Sequence, residues 1–296
     1  MTINKLIPPS SEDDIISHWK HKDCIYVSLI CPTYNQEKFI AQTIESFLSQ
    51  KTDYKFEIVI HDDCSSDNTR DIISQYYKKY PNIIKVIFQD ENQFSKGKQI
   101  ISLVTPFAKG KYIALCEGDD YWTDDTKIQK QVSFLETNPD YVMSYHNASV
   151  VDSSGNIIKP YKIPEEKRRD ITQQELAKGK LLPLTLSWMY RNNNYGDLPE
   201  LDKVLNGDVF FCSMLGLHGK AKYHNDISPA IYRVHNGGIW SKKDDRYRKR
   251  NTVNTFYWLY RYHSRVKSEY RFFFLKRFII KSIQYYFKYK SSWRNK

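Results

Sequence analysis

From Ile25 onwards, short apolar runs alternate along the chain with amphipathic stretches, and this alternation narrows the folds it can adopt. Segments 37–50, 69–80 and 126–138 carry apolar residues at helical spacing. The runs that precede or separate them are too continuously apolar to expose one face of a strand, and they are YVSLIC (26–31), FEIVIH (56–61), KVIFQ (85–89) and YIALCE (112–117). This alternation predicts an α/β fold with a Rossmann-like, mostly parallel sheet and flanking helices.

The rest of the chain divides by composition. Residues 1–24 form an N-terminal extension, and the α/β pattern of 25–150 is followed by a second half, 151–241. Within that half, residues 153–183 are charged and weakly periodic, which predicts a mobile connection. A basic, aromatic tail, 242–296, completes the chain of 296 residues, and we expect it to be helical.

The positive charge of the chain is concentrated in this tail. The net charge is +11, but residues 242–296 hold 17 Lys and Arg against 3 Asp and Glu, a net +14, so residues 1–241 carry −3. Such a separation predicts an anionic surface as the partner of the tail rather than a basic active site.

The cysteines and the N-terminal residues indicate the compartment. None of the five cysteines has the paired spacing of metal or redox sites, and the first 20 residues lack a charged region followed by an apolar run. We therefore expect a reduced, cytoplasmic setting.

Three polar clusters follow predicted strands, at the edge where open α/β sheets bind ligands. The third, EGDDYW, packs Glu117, Asp119 and Asp120 into four residues. Carboxylates so close repel one another unless a cation shares them, and oxygen ligands suit Mg²⁺ or Mn²⁺. The alternative is an acidic turn in which an aspartate caps a helix. The other two clusters are PTYN (32–35) and HDDCSSDNT (61–69).

The second cluster contains Asp62 and Asp63, either of which could accept the imide N–H of a uracil or thymine ring. A turn that satisfies its own backbone is an equal alternative. Tyr34, in the first cluster, could stack on the base or simply pack at the edge of the core. Asp67 precedes a predicted helix, where its oxygen can cap free N–H groups.

These motifs resemble the family 2 glycosyltransferases with the GT-A fold. Four of them occur in the family's order over residues 25–150, with weaker agreement to about residue 241, and they are VSLICPTYNQEKFIAQTIESFLSQ, IVIHDDCSSDNT, GKYIALCEGDDYW and DTKIQKQVSFLETNP. The resemblance implies that residues 25–150 bind a nucleotide-sugar, that residues 151–241 bind the acceptor, and that a divalent ion assists.

The resemblance also implies roles for single residues. Glu117-Gly118-Asp119 occupies the family's DXD position, with Glu for the usual first Asp, so Asp119 is the firmer metal ligand and Glu117 contacts the metal or the ribose. Asp63 would read the base with Asp62 behind it, and Lys96 or Lys98 would approach the diphosphate. The remaining positions that match the nucleotide pocket are Pro32, Thr33, Tyr34 and Glu37.

Further along the chain, Asp208 in NGDVFF matches the family's catalytic base, which takes the acceptor proton in an inverting transfer. A solvated turn is the alternative. His235, in YRVHNGGIWS beside a glycine pair and Trp240, is either structural or a phosphate or metal contact. Asp120, Trp188 and Arg191 are the candidate acceptor residues.

Residues 268–290 mix Phe, Tyr and Ile with Lys and Arg, and charge interrupts the apolar stretch too often for a membrane span. An interfacial helix on the inner face of the plasma membrane is one interpretation, and a helix packed on the domain is the other.

The expected partners are a nucleotide-sugar, with a UDP-sugar favoured by the base-reading acids, and a glycan or lipid-linked glycan acceptor of a bacterial surface polysaccharide or glycolipid. A nucleic-acid binder is the rival class, but no RNP, KH or zinc-finger pattern is present, so we expect no nucleic acid. A nucleotidyltransferase is the second rival, although PTYNQEKF lacks the glycine-rich phosphate loop of that class. The sugar and the base of the donor, the acceptor and its linkage, the oligomeric state and the role of residues 1–24 stay open.

Overall fold

The computed structural model describes residues 5–193, 195, 198–235 and 244–290. It is an α/β structure, as the alternation of apolar runs predicts. The strands are β1 Val27–Thr33, β2 Phe56–Asp62, β3 Ile84–Phe88, β4 Tyr112–Leu115, β5 Tyr141–His146, β6 Ala148–Asp152, β7 Ile157–Lys159, β8 Met189–Arg191, β9 Lys220–His224 and β10 Ala230–Val234. The α-helices are α1 Glu12–Ser17, α2 Ile40–Leu48, α3 Thr69–Lys79, α4 Ile100–Val104, α5 Lys127–Thr137, α6 Gln173–Ala177, α7 Gly207–Leu215, α8 Asp245–Arg265 and α9 Arg271–Tyr289.

The central sheet has seven strands in the order β3-β2-β1-β4-β8-β5-β9. Strands β3, β2, β1 and β4 are mutually parallel, and β8 is antiparallel to both of its neighbours. Every residue of β2 and β4 is buried, which explains their mostly apolar sequences. The four strands predicted from those runs are confirmed to within two residues at each end.

The helices of this half lie where the periodicity predicts them, to within three residues at each end. Helix α2 buries Ile40, Ile44 and Phe47, and the Phe47 ring packs 4.9 Å from that of Trp122. Asp67 accepts the Thr69 N–H at the start of α3, which confirms its predicted capping contact. The helices therefore cover the sheet and leave the loops after the strands to form its carboxyl edge.

The segment 153–183, for which the composition predicts a mobile connection, contains regular secondary structure. It contains β7, a 3₁₀ turn at Glu165–Lys167 and α6. Thr172 and Glu175 form a capping box at the start of α6. This pair marks the start of a helix in the sequence, although the hydrophobic periodicity of the segment is weak. Strand β7 pairs with β6 in a second, three-stranded sheet of order β10-β6-β7.

The chain forms two compact units that interleave along the sequence. The first comprises residues 1–171, 183–194 and 220–234, and the second comprises 172–182, 195–219 and 235–296. The four segments proposed from composition follow a different division, and their functional assignment stays a prediction.

The second unit is mostly helical among its described residues. Its buried apolar side chains come from α6, α7 and the C-terminal helices, and they include Leu176, Phe210, Met214, Leu259, Tyr262 and Phe274. Gly216 approaches the backbone of Ala177 so closely that a Cβ there would lie 2.5 Å from the Ala177 Cα. No helix in the described residues is both long enough and apolar enough to cross a membrane.

Candidate functional site

The carboxyl ends of β1, β2 and β4 bring the three predicted polar clusters to one edge of the first unit. Thr33 pairs in register with Asp62 across β1 and β2, and the Gly118 N–H after β4 donates to the Pro32 carbonyl at 3.0 Å. Parallel strands place their following loops side by side, so clusters that are far apart along the chain meet here. We call this set of loops, residues 32–37, 62–68 and 117–121, the donor edge, after the nucleotide-sugar donor that the sequence predicts to bind here.

Gly118 fits into a space where any larger residue would displace its neighbours. A Cβ at this position would lie 2.7 Å from the Thr33 Oγ1 and would also collide with the Gln36 side chain. The Thr43 hydroxyl of α2 holds the loop from below, because it lies 2.9 Å from the Gly118 carbonyl and 2.7 Å from that of Asp120. The central position of the DXD-like motif therefore requires glycine for close packing.

Arg233, in β10, fixes the other side of the acidic loop. Its guanidinium donates to the Asp119 carbonyl and to the Gln42 Oε1, and its backbone N–H donates to the Asp120 Oδ1 at 2.9 Å. The guanidinium also lies 4.5 Å from the centre of the Tyr121 ring. Tyr121 and Ile231 exchange two backbone hydrogen bonds, so β10 and the acidic loop form one rigid piece.

The acidic residues of this loop differ in exposure. Asp120 is buried, whereas Glu117 and Asp119 are partly exposed. Burial raises the pKa of Asp120 well above its usual value, and repulsion from Asp119 and Glu117 raises it further. Lys162 lies near these carboxylates with its ammonium over the Tyr232 ring, and burial lowers the pKa of Lys162 to about 8. Asp119 and Glu117 are thus the acids that a ligand could reach.

The two acids that end β2 are both buried and hydrogen-bonded. The Asp62 Oδ2 accepts from the Arg70 Nε at 2.6 Å and from the Ser65 N–H at 3.0 Å. The Asp63 carboxylate accepts the N–H groups of Gln93 and Phe94 at 2.7 and 3.0 Å. Both acids therefore organise loops, and a carboxylate has further lone pairs for a base.

The loops after β1 and β2 are braced against each other. The Asn35 N–H donates to the Ser65 hydroxyl at 2.9 Å, and Asn35 itself has a left-handed φ of 51°. The Glu37 N–H donates to Asp67, and the Glu37 carboxylate accepts the Asn68 N–H, each at 3.1 Å. Tyr34, on the same loop, is 47% exposed. The loop is therefore rigid, and it presents an accessible aromatic ring.

The two candidate diphosphate lysines lie beyond β3. Lys96 is paired with Glu91, and both Lys96 and Lys98 are exposed. The loop that carries them begins at the Gln93 and Phe94 N–H groups bound by Asp63. The Asp63 carboxylate therefore anchors the start of the loop that carries Lys96 and Lys98 to the donor edge.

The candidate acceptor residues Trp188 and Arg191 lie at the central sheet. Trp188 is 1% exposed, directly before β8. Arg191 donates to the carbonyls of Tyr141, Leu135 and Asn138 and to the Tyr112 hydroxyl. Both residues therefore stabilise the sheet in this structure, and their acceptor role stays a prediction.

Asp208 belongs to the second unit, in the first turn of α7. The residue is exposed, and its Oδ1 accepts the Val209 N–H at 2.8 Å. Although the residue is exposed as a whole, protein atoms around its carboxylate exclude part of the water there, and this raises the pKa of Asp208 above its usual value. The carboxylate thereby moves toward the basicity that a general base needs. His235 directly follows β10 in the chain and is partly buried, whereas the glycine pair and Trp240 lie outside the described residues.

Two charged residues beside the acidic loop, Lys162 and Arg233, were not identified from the sequence. Lys162 lies in the segment interpreted as a mobile connection, and Arg233 lies among apolar residues just before the noted His235. Arg233 could have been found because it is a charged residue inside the short apolar run AIYRV. A buried arginine requires hydrogen-bond or charge partners. No local pattern marked Lys162.

The comparisons with known proteins agree with this geometry. The model of the family described as glycosyl transferase family 2 matches residues 28–198. An uncharacterized protein of Mycobacterium tuberculosis is 32% identical over 217 residues, which are 72% of this chain and 60% of that protein. The chain therefore spans less than two thirds of the length of this relative.

A shorter part of the chain is similar to a relative whose name states a reaction. The Escherichia coli protein named UDP-Glc:alpha-D-GlcNAc-diphosphoundecaprenol beta-1,3-glucosyltransferase WfaP is 41% identical over 122 residues, which are 41% of this chain and 45% of WfaP.

Solved structures share the fold at low identity. Residues 1–349 of Staphylococcus aureus TarS, in complex with UDP-GlcNAc, superpose with a TM-score of 0.57 at 19% identity over 81% of this chain and 73% of TarS. The mannosyltransferase PcManGT of Pyrobaculum calidifontis, in complex with GDP-Man and Mn²⁺, gives 0.57 at 17% identity over 83% and 69%. The GT-A fold and a family match over more than half of the residues place this chain in glycosyl transferase family 2.

Proposed function

We propose that this protein transfers a sugar, with inversion, from a nucleotide-sugar, in particular a UDP-sugar, to an acceptor hydroxyl in the synthesis of a bacterial surface polysaccharide or glycolipid. The observation that carries the proposal is the acidic loop after β4, clamped between Thr43 and Arg233 with Asp119 partly exposed. Family membership and the nucleotide-sugars named in the TarS and PcManGT complexes support it.

The donor would bind along the donor edge. Tyr34 supplies an exposed ring for stacking on the base, and Asp63 supplies carboxylate lone pairs for its imide N–H. Lys96 and Lys98 offer positive charge for the diphosphate. The remaining residues proposed to line the nucleotide pocket are Pro32, Thr33, Glu37, Asp62, Glu117 and Gly118.

The residues present fit a divalent cation, Mn²⁺ or Mg²⁺. No group of three or more His, Cys, Asp or Glu side chains in the described residues is arranged to hold a metal by itself. Mg²⁺ in sites that handle phosphates is commonly held by one or two carboxylates, with substrate phosphates and water completing the shell. Asp119 and Glu117, the partly exposed acids of the acidic loop, would meet that requirement. His235 belongs to the second unit, and its metal contact stays a prediction. The bound ion would stabilise negative charge on the leaving diphosphate.

Asp208 is the proposed general base. The acceptor oxygen forms a bond to the anomeric carbon on the face opposite the diphosphate, the bond from that carbon to the phosphate oxygen breaks, and the hydroxyl proton passes to the Asp208 carboxylate. The nucleoside diphosphate leaves with the electron pair of the broken bond. A raised pKa makes Asp208 a better proton acceptor than an ordinary surface aspartate.

The acceptor is proposed to be a glycan or a lipid-linked glycan. Asp120, Trp188 and Arg191 stay its predicted contacts, although Asp120 and Trp188 are buried and Arg191 is bound to three backbone carbonyls in this structure. The diphosphoundecaprenol in the name of WfaP supports a lipid-linked acceptor. Asp120 is the member of this set that lies on the acidic loop itself.

A screen of UDP-, GDP- and dTDP-sugars for hydrolysis with and without Mn²⁺ tests the donor half of this proposal. We expect turnover of at least one UDP-sugar, its loss in excess chelator, and a fall of about 10²-fold or more for Asp119→Ala because a phosphate-binding metal site would lose its principal carboxylate. Asp140→Ala, which removes an exposed acid paired with Lys220 in the same unit, is the matched control.

Full turnover by Asp119→Ala in the presence of chelator would exclude the metal role. Incorporation of a nucleoside triphosphate and a sugar phosphate into a nucleotide-sugar would instead assign the nucleotidyltransferase reaction.

A further inference from the structure

The C-terminal helices α8 and α9 form an antiparallel hairpin within the second unit. The chain turns between them at Lys267, whose φ is 55°. At the other end of the hairpin, Lys288 and Tyr289 bind the Asp245 carboxylate at 2.7 and 2.6 Å, so the end of α9 lies beside the start of α8. Both helices can therefore be treated as one surface element.

Helix α9 packs on α8 through one face. The Phe274 ring is fully buried and stacks on His263 with ring centres 4.5 Å apart. Phe278 packs against Tyr257 at 5.4 Å. These contacts explain one apolar face of α9.

A second apolar face of α9 points to solvent. Phe272, Ile279, Ile283 and Tyr286 recur at spacings of seven, four and three residues, which places them on one side of an α-helix. Phe287 and Ile280 extend this side, and the two phenylalanines are 65% and 68% exposed. Lys276 and Lys290 lie within the same face. We call these six apolar residues and two lysines the outer stripe.

Basic residues gather at the open end of the hairpin. Arg246 lies 5.7 Å from the Tyr289 ring, Lys249 lies 3.5 Å from the Asp245 carboxylate, and Lys290 lies near the Tyr286 ring. Arg248 and Arg250 add exposed charge on α8. Asp244 and Asp245 are the acids at this end, so the cluster carries a clear excess of positive charge beside the outer stripe.

We propose that the outer stripe and this basic cluster dock the protein on the surface of an anionic lipid bilayer, on its cytoplasmic face. The charge of the cluster is complementary to acidic headgroups, and the aromatic and branched side chains of the stripe enter the headgroup boundary. Lysines within the stripe can bury their alkyl chains and keep the ammonium among the headgroups. Neither the donor edge nor Asp208 takes part in this contact, so the inference is independent of the proposed transfer.

Two physical consequences distinguish this mode of binding. Binding is reversible and weakens with salt, because the Debye length shortens from about 10 Å at 0.1 M to about 3 Å at 1 M salt. It also requires the apolar stripe, because charge alone gives no insertion into the headgroup boundary.

The test is co-sedimentation of the full chain with vesicles of phosphatidylcholine alone and of phosphatidylcholine mixed with phosphatidylglycerol. We expect tenfold or greater preference for the anionic vesicles at low salt. The variant Phe272→Ser/Ile279→Ser/Ile283→Ser should lose that binding about tenfold or more, and Lys276→Gln/Lys290→Gln should lose part of it and part of its salt dependence. The matched control, Phe107→Ser/Ile158→Ser, removes two exposed apolar side chains from the first unit and should bind as the unmodified chain does.

Circular dichroism shows whether the serine variant remains folded. If the serine variant unfolds, the variant Phe272→Trp provides a second test. Brominated phosphatidylglycerol should quench the fluorescence of the added indole if the stripe enters the bilayer. Absence of binding to anionic vesicles at low salt, equal binding to both vesicle types, or unquenched fluorescence of the Phe272→Trp variant would overturn the proposal. Light scattering that shows a dimer broken by the serine variant, without vesicle binding, would assign the stripe to a contact between two copies of the chain.

Discussion

Acidic and apolar side chains have different surroundings in two regions of this molecule. At the donor edge of the first unit, Asp62, Asp63 and Asp120 are buried and accept hydrogen bonds from Arg70, from the Gln93 and Phe94 N–H groups and from the Arg233 N–H. In the second unit, Asp208 is exposed and accepts the N–H of its own neighbour Val209, and the outer stripe of α9 presents large apolar side chains to solvent.

This difference distinguishes residues that hold loops in place from residues that we propose to act on a partner. A buried carboxylate with several donors is rigid and already desolvated, so it can position a loop at little further cost. An exposed acid with a raised pKa can receive a proton from a substrate. An exposed apolar stripe can enter the headgroup region of a lipid bilayer. We therefore expect substitutions of residues that brace the donor edge, such as Arg233, to act through geometry, and substitutions of Asp208 and of the outer stripe to act on chemistry or docking.

The largest effect should come from Asp208→Asn. The amide cannot take the acceptor proton, so transfer should fall about 10²-fold or more while nucleotide binding, measured by calorimetry, stays unchanged. Asp202→Asn, another exposed acid of the same unit, is the control and should keep full activity. Retention of turnover by Asp208→Asn, or a product with the donor's anomeric configuration, would place Asp208 outside the chemistry.

A smaller effect should follow from Arg233→Ala. Loss of the guanidinium contacts to the Asp119 carbonyl and to Gln42 frees the acidic loop, and a hydrogen bond from a charged donor contributes about 1.5–3 kcal/mol. We expect the Mn²⁺ concentration for half-maximal activity to rise about tenfold. Arg233→Lys should recover little, because an ammonium cannot reproduce the forked geometry.

The control for this effect is Arg261→Ala, which removes an exposed arginine of the second unit. A change in thermal stability with an unchanged Mn²⁺ requirement would reduce Arg233 to a purely structural residue and would weaken the comparison between the two regions.

The smallest effect concerns stability rather than activity. Lys127 is fully buried, its Nζ donates to the Gln131 Oε1 at 2.5 Å, and burial lowers its pKa to about 7 from 10.5. Between these two pH values the unfolded chain binds one more proton than the folded protein, so this residue makes the folded state more stable as pH rises. The slope approaches about 1.4 kcal/mol per pH unit, and below pH 7 the full burial penalty remains.

Urea unfolding of the unmodified chain and of Lys127→Met between pH 7 and 9 measures this contribution, because other titrating groups cancel in the difference. The difference in unfolding free energy should change with pH in favour of the unmodified chain. Lys78→Met, an exposed site on α3, should show no such trend, and a flat difference for Lys127→Met would mean that the ammonium is not desolvated.

The sequence predicts the first four strands and three of the helices well, because each is a local pattern of burial. Strand β8 is harder: Met189–Arg191 is three residues long and enters the sheet between β4 and β5 from far along the chain. Its pairing depends on tertiary contacts, and the apolar run LTLSWMY indicates only that the segment is buried.

The candidate site follows the same division. The loops after β1, β2 and β4 could be located from the sequence because parallel strands bring their carboxyl ends together. Arg233 could not be assigned to the acidic loop, because its partners Asp119 and Gln42 lie 114 and 191 residues away. Trp188 and Arg191 were predicted to contact the acceptor, but in the structure they stabilise the sheet. The sequence alone does not distinguish an aromatic or basic residue that lines a binding surface from one that holds a sheet together.

The interleaving of the two units has a consequence for synthesis on the ribosome. The first unit contains residues 220–234, and the second takes its last segment from residue 235 onwards. More than three quarters of the 296 residues must therefore emerge before β9 and β10 can complete the first unit. Until then β5 lacks β9 and β6 lacks β10 as a neighbouring strand. The unpaired backbone groups at such an edge can pair with another chain and lead to aggregation. Nascent copies of this protein should accordingly depend on chaperones for longer than a domain built from one continuous segment.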